Sequence, residues 1–201
     1  MFSKISVFNR QKKMTLQTFG KLPLYSDYLS FLTHKASNAW RQWLLEYFSR
    51  DGMRIPQGHW PFVFYPREGD ELVVGLMEDS SDGIREFPFS LFVICPSQGQ
   101  TGWFSWKMLN QVWGELSRIR DRLAQLGDVD ACYGVLRAET LGIPRNGLRE
   151  SGYLRLDHIQ NRPLLLGAPD LNARSLHQLS EAHTAPMQIL NNWNQLSRNA
   201  H

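Results

Sequence analysis

Cysteine is scarce in this chain. There are two in 201 residues, Cys95 in "FVICP" and Cys132 in "DACYG". Neither forms a pair with metal or redox spacing, so buried free thiols are expected and a disulfide framework is not. Long apolar runs are missing as well. No window approaches the roughly 20 apolar residues that span a bilayer, and the start, "MFSKISVFNRQKK", lacks the apolar centre of a signal peptide. No block of about five or more like charges stands out. Lys and Arg total 22 against 19 acidic residues, for a net charge of +3. A nucleic-acid binder usually shows a basic patch or stripe. Here the one dense basic run is "RQKK", Arg10 to Lys13, in a segment 1–15 that reads as a flexible basic arm and a solvated tail. The expectation is a cytoplasmic protein with no nucleic-acid partner and no membrane insertion.

Catalytic signatures are also lacking. "GKLP" at Gly20 to Pro23 is not a P-loop, because a phosphate cradle needs the second glycine and a hydroxyl after the lysine, where this chain has Leu22. Gly20 with Lys21 reads instead as a structural glycine beside a surface lysine. No dinucleotide G-x-G-x-x-G and no G-x-S-x-G elbow occurs. The six histidines, His34, His59, His158, His177, His183 and His201, are scattered, with no H-x-x-x-H or H-E-x-x-H spacing. No cofactor, metal ligand or catalytic residue is therefore assigned, and the chain is read as no enzyme.

What the sequence does have is core material, 42% hydrophobic and 12% aromatic. "TLQTFGKLP" reads as a short strand closed by Gly20 and Pro23. In "SNAWRQWLLEYFSRD", Trp40, Trp43, Leu44, Tyr47 and Phe48 fall on one face of a helix, with Ser37 as N-cap and Gly52 past the end. "HWPFVFYP", which carries Trp60, "DELVVGLMED" and "FPFSLFVICP" read as strands. The first two suit a hairpin, and the third is apolar enough to be buried on both faces. "WFSWKMLNQVWGELSRIRDRLAQLG" carries a helical stripe from Leu109 to Leu126 and stops at Gly127. "ACYGVLRA" is open between strand and helical turn. "RPLLLGAPD" reads as a short strand, and "NARSLHQLSEAH" and "APMQILNNWNQLSR" as helices. The order predicts an α/β fold: a central sheet of mixed direction flanked by helices, a three-layer α/β/α-like sandwich, in one domain over 16–201.

Polar residues concentrate in two loops beside these strands. Asp27 suits bracing of the turn after Gly20 and Pro23, and "SSDGIRE" places Ser80, Asp82 and Arg85 ahead of Phe87 and Pro88. If the two strands adjoin, Lys21, Asp27, Ser80, Asp82 and Arg85 form one polar cluster at an edge of the sheet. The other reading is that they only buttress loops.

Three segments in order, "FGKLPLYSDYLSF", "WRQWL" with Trp40 and Trp43, and "VVGLMEDSSDGIREFPFSL" after "WPFVF", resemble the TagF (ImpM) family of type VI secretion-associated proteins. The resemblance covers about residues 17 to 92. It departs from the family pattern at Ser26, where a glycine is usual, and is one residue short between Asp82 and Arg85. The resemblance implies an α/β fold and a cytoplasmic, non-enzymatic, post-translational repressor of type VI secretion, a system of bacterial virulence. It also implies binding to the forkhead-associated scaffold or another component of the apparatus. Such a regulator should present an exposed aromatic or arginine-bearing patch, because Tyr, Trp and Arg anchor interfaces. The alternative, a small-molecule or nucleotide-binding module or hydrolase using the Ser80–Arg85 turn, should instead show a pocket and a base facing that turn.

Overall fold

Strict alternation in Glu71–Glu78 (β5) sets the architecture. Leu72, Val74 and Leu76 enter one core and Val73 and Met77 the other. A strand with period-two side chains and two apolar faces must lie between two layers. Its neighbours obey the same rule. In His59–Phe64 (β4), Phe62 and Phe64 face one side and Val63 the other, and Phe89–Pro96 (β6) sends Leu91 and Val93 against Phe92. The computed structural model describes residues 12–22, 28–50, 59–67, 69–81, 83, 86–96, 103–126, 128–143, 153–155 and 163–165.

The central sheet has six strands in the order β10-β4-β5-β6-β2-β3, where β2 is Gln17–Lys21, β3 Tyr28–Phe31 and β10 Pro163–Leu165. The α/β class expected from the sequence is the class observed. Its strand directions are not mixed, however: every described pairing is antiparallel. Short connections suit antiparallel neighbours, whereas a parallel pair needs a long crossover. Gly75 lies opposite both Phe62 and Phe92, and a Cβ there would come 2.5 Å from the Phe62 ring. The glycine makes room for two facing aromatics.

One face is covered by Lys35–Leu44 (α1), which continues as a wider-wound turn over Leu45–Arg50. Trp40, Trp43, Leu44 and Phe48 are buried there, as the helical spacing predicts. Ser37 is not the cap. The N-cap position is His34, and the Ser37 hydroxyl is buried and donates to Gln17 Oε1. The other face is covered by Trp106–Ala124 (α2) and Val129–Ala138 (α3). The stretch left open as "ACYGVLRA" is helical, because Asp128 caps it by accepting from the N–H groups of Asp130 and Ala131 at 2.9 and 3.2 Å.

Two small ribbons complete the fold. Lys12–Thr15 (β1) pairs with Thr140–Ile143 (β8), and Trp103–Ser105 (β7) pairs with Tyr153–Arg155 (β9). Lys12 to Thr15, placed by the sequence in the loose arm, are thus in a strand. Met14 is buried between exposed Lys13 and Thr15, a period-two signal too short to separate from a tail. Gly52, Gly127 and the two C-terminal helical stretches lie outside the described residues.

Candidate functional site

The ends of five strands meet along one row. His59 pairs with Glu78, Glu78 with Phe89, Phe89 with Gly20, and Gly20 with Leu29. The strand bearing "GKLP" and the strand bearing "EFPF" therefore adjoin, as the cluster idea required. The contact is very close. Gly20 has φ +128°, and a Cβ on it would lie 1.9 Å from the Pro88 carbonyl oxygen. Only glycine accepts both the backbone conformation and the approach.

Lys21 follows. It is not on the surface as expected but fully buried, at 0% exposure. The reason is topological: β2 runs between β3 and β6, so its last residue lies inside the sheet end rather than in a turn.

Opposite it, the segment after β5 folds into a short hairpin. Ser81 bridges to Glu86, the Phe87 N–H donates to the Ser80 carbonyl at 3.1 Å, and Gly83 turns with φ +82°. Phe87 then packs edge-on against Phe19 at 5.8 Å and against Tyr28 at 5.6 Å. Lys21 and Ser80 thus come to the same end of the sheet, with Phe87 and Pro88 between them. Pro23, Asp27, Asp82 and Arg85 lie outside the described residues.

Ser80 is buried at 3% exposure, and its hydroxyl meets no partner among the described residues. The hydrolase reading needs a base within hydrogen-bond reach of that oxygen, and no described histidine supplies it. The buried indole N–H of Trp43 likewise has no partner among the described residues. Its neighbour Trp40 is satisfied, donating to Ser90 Oγ at 3.1 Å, while Ser90 donates on to the Phe19 carbonyl at 2.8 Å. Trp40 stacks on Phe62 at 4.3 Å and on Trp43 at 5.4 Å, so both motif tryptophans sit in the core with Trp60.

Sequence reasoning missed a second polar group on the same row. Glu78, 8% exposed, accepts from Arg120 Nη2 at 2.7 Å and Nε at 3.0 Å, and its Oε2 lies 2.8 Å from His59 Nδ1. Burial works against the Arg120 charge, but its contacts with Glu78 and Asp121 outweigh that and hold its pKa above the ordinary value. The signal was faint: Glu78 ends an apolar strand, Arg120 lies off the apolar stripe of its helix, and 42 residues separate them. Among the described residues no group of three or more His, Cys, Asp or Glu side chains is placed to hold a metal ion, and no helix is long and apolar enough to cross a membrane.

No protein-family model matches the sequence, and no curated protein does. Among solved structures, the crystal structure of PA0076 from Pseudomonas aeruginosa PAO1 superposes with a TM-score of 0.45 at 19% identity, over 62% of this chain. The aligned part spans 62% of that chain's length.

Proposed function

We propose that the protein is a non-enzymatic, cytoplasmic regulator of type VI secretion, a repressor that binds the forkhead-associated scaffold or another component of the apparatus. The reading starts from the ordered motifs that resemble the TagF (ImpM) family. The observation that supports it most is the junction at Gly20. Two motifs whose touching residues, Gly20 and Pro88, lie nearly seventy positions apart meet there so closely that a side chain at Gly20 would clash. Such a junction shapes the end of the sheet, beside which Ser81 and Glu86 pair. A loop carried at the end of a packed sheet is suited to binding a partner.

The test is capture from lysate of the native bacterium with tagged wild-type protein and with Arg85→Glu, followed by mass spectrometry. The scaffold or another secretion component is expected with the wild type and depleted with the variant. Secretion should rise on deletion of the gene. Absence of every secretion component from the wild-type eluate, with secretion unchanged on deletion, overturns the reading.

A further inference from the structure

Tyr28 is the one large hydrophobic side chain left exposed among the described residues, at 42%. Its ring is not loose, because it leans on Phe87 at 5.6 Å. Phe87 in turn contacts Phe19 at 5.8 Å, and the guanidinium of exposed Arg41 lies over the Phe19 ring at 5.4 Å. An aromatic and an arginine thus flank one buried aromatic pair, one from β3 and the other from α1. The cation–π contact holds the Arg41 head group in place without using its N–H donors. Arg41 has no ion pair among the described residues, unlike Arg118, Arg120 and Arg122, which all meet carboxylates.

We infer that Tyr28 and Arg41 form a docking surface for an acidic segment of a partner protein, one that seats an apolar side chain against Tyr28 and a carboxylate on Arg41. This rests on the reading of the protein as a partner-binding regulator and names the chemistry of the partner. The charge argues for the occupant: a held guanidinium with no ion pair among the described residues is complementary to a carboxylate, which it can take edge-on by two donors. The three ring-to-ring and ring-to-cation steps are each under 6 Å, which bounds the separation of the anchors, so a segment of no more than about five residues at ~3.3 Å each reaches both. Both anchors are pre-ordered by ring contacts, which lowers the entropy lost on binding.

The experiment presents phage-displayed random peptides to the full chain and to Arg41→Ala, Arg41→Lys and Tyr28→Ala, with circular dichroism and melting confirming that each folds. Sequences with Asp or Glu near an apolar residue are expected to enrich on the wild type. The best of them, synthesised and titrated by fluorescence anisotropy, should lose about tenfold or more in affinity with either alanine variant and less with Arg41→Lys. No enrichment, enrichment without acidic residues, or binding unchanged by Arg41→Ala overturns the proposal. Capture of a secretion component by Arg41→Ala as efficient as by wild type also removes this surface while leaving the regulatory function standing. Loss of all secretion components from the wild-type eluate removes the function itself.

Discussion

The two faces of the central sheet are built from different materials. Toward α2 and α3 the core is mostly aliphatic, with Leu72, Val74, Leu91, Val93, Leu109, Val112 and Leu116 at its centre. Toward α1 it is mostly aromatic, with Phe19, Trp40, Trp43, Phe48, Phe62, Phe87 and Phe92. Aliphatic side chains ask only for close packing. Indoles also bring polar N–H groups that need acceptors once buried. On the α1 side the Trp40 indole is met by Ser90, while that of Trp43 has no partner among the described residues. The aromatic face is therefore the more sensitive to polar detail. It also reaches the surface, through Tyr28 and Arg41. The aliphatic face holds a single indole, Trp113, which donates to the Phe62 carbonyl at 3.4 Å, and carries its charged groups at the rim, in the Glu78–Arg120–His59 group.

This contrast can be broken most severely at the junction. Gly20→Ala puts a side chain into the Pro88 carbonyl at an unfavourable φ, and is expected to cost about 4 kcal/mol or more in denaturant unfolding. A loss below about 1 kcal/mol would show that the sheet end relaxes freely. On the aliphatic rim, Glu78→Gln removes the carboxylate that Arg120 and His59 share. A loss of about 2 kcal/mol is expected by the same measurement, within the range for hydrogen bonds to charged groups. No loss would mean that the group is solvated in practice.

A paired comparison sharpens the difference between the two indoles. Trp40→Phe deletes a satisfied N–H and part of the stacked ring area, for about 2 kcal/mol. Trp43→Phe deletes an unsatisfied one, so part of the packing loss is offset and the cost should stay under about 1 kcal/mol. Equal costs would indicate that Trp43 finds a partner in solution. The smallest effect concerns alkaline pH. Burial pushes the Cys132 thiol pKa up, with Asp128 adding to it. The fold favours the neutral thiol, so this stabilisation is intact below the unfolded thiol pKa and fades as pH rises through the folded value. The melting temperature should fall more steeply with pH above about 8.5 in the wild type than in Cys132→Ala.

Much of the fold was legible where one period dominated. Trp40, Trp43, Leu44 and Phe48 marked a helix, and "FPFSLFVICP" marked a doubly buried strand. Less legible were elements whose signal lies outside themselves. The four residues of β1 are defined by pairing with β8, which is remote in the chain. α3 is defined by the Asp128 cap as much as by its own pattern. At the site, sequence left the meeting of the two motifs conditional on their strands adjoining, which the pairing of Gly20 with Phe89 meets. It misplaced Lys21 on the surface, since no local pattern records that a neighbouring glycine lets the chain slip under a proline carbonyl. Arg41 and Tyr28 looked like ordinary helix and loop residues until the rings beneath them were in place.

The outermost strand of the sheet has one more feature. The backbone N–H of Ser30, in β3, donates to the Tyr133 hydroxyl at 3.2 Å, and Arg137 lies over the Tyr133 ring at 5.7 Å. Exposed strand margins are templates on which other chains polymerise. Here a phenol from α3 occupies one such donor. The helix that finishes one layer thereby also hinders strand addition at this margin of the sheet, a safeguard against aggregation held by a single oxygen atom.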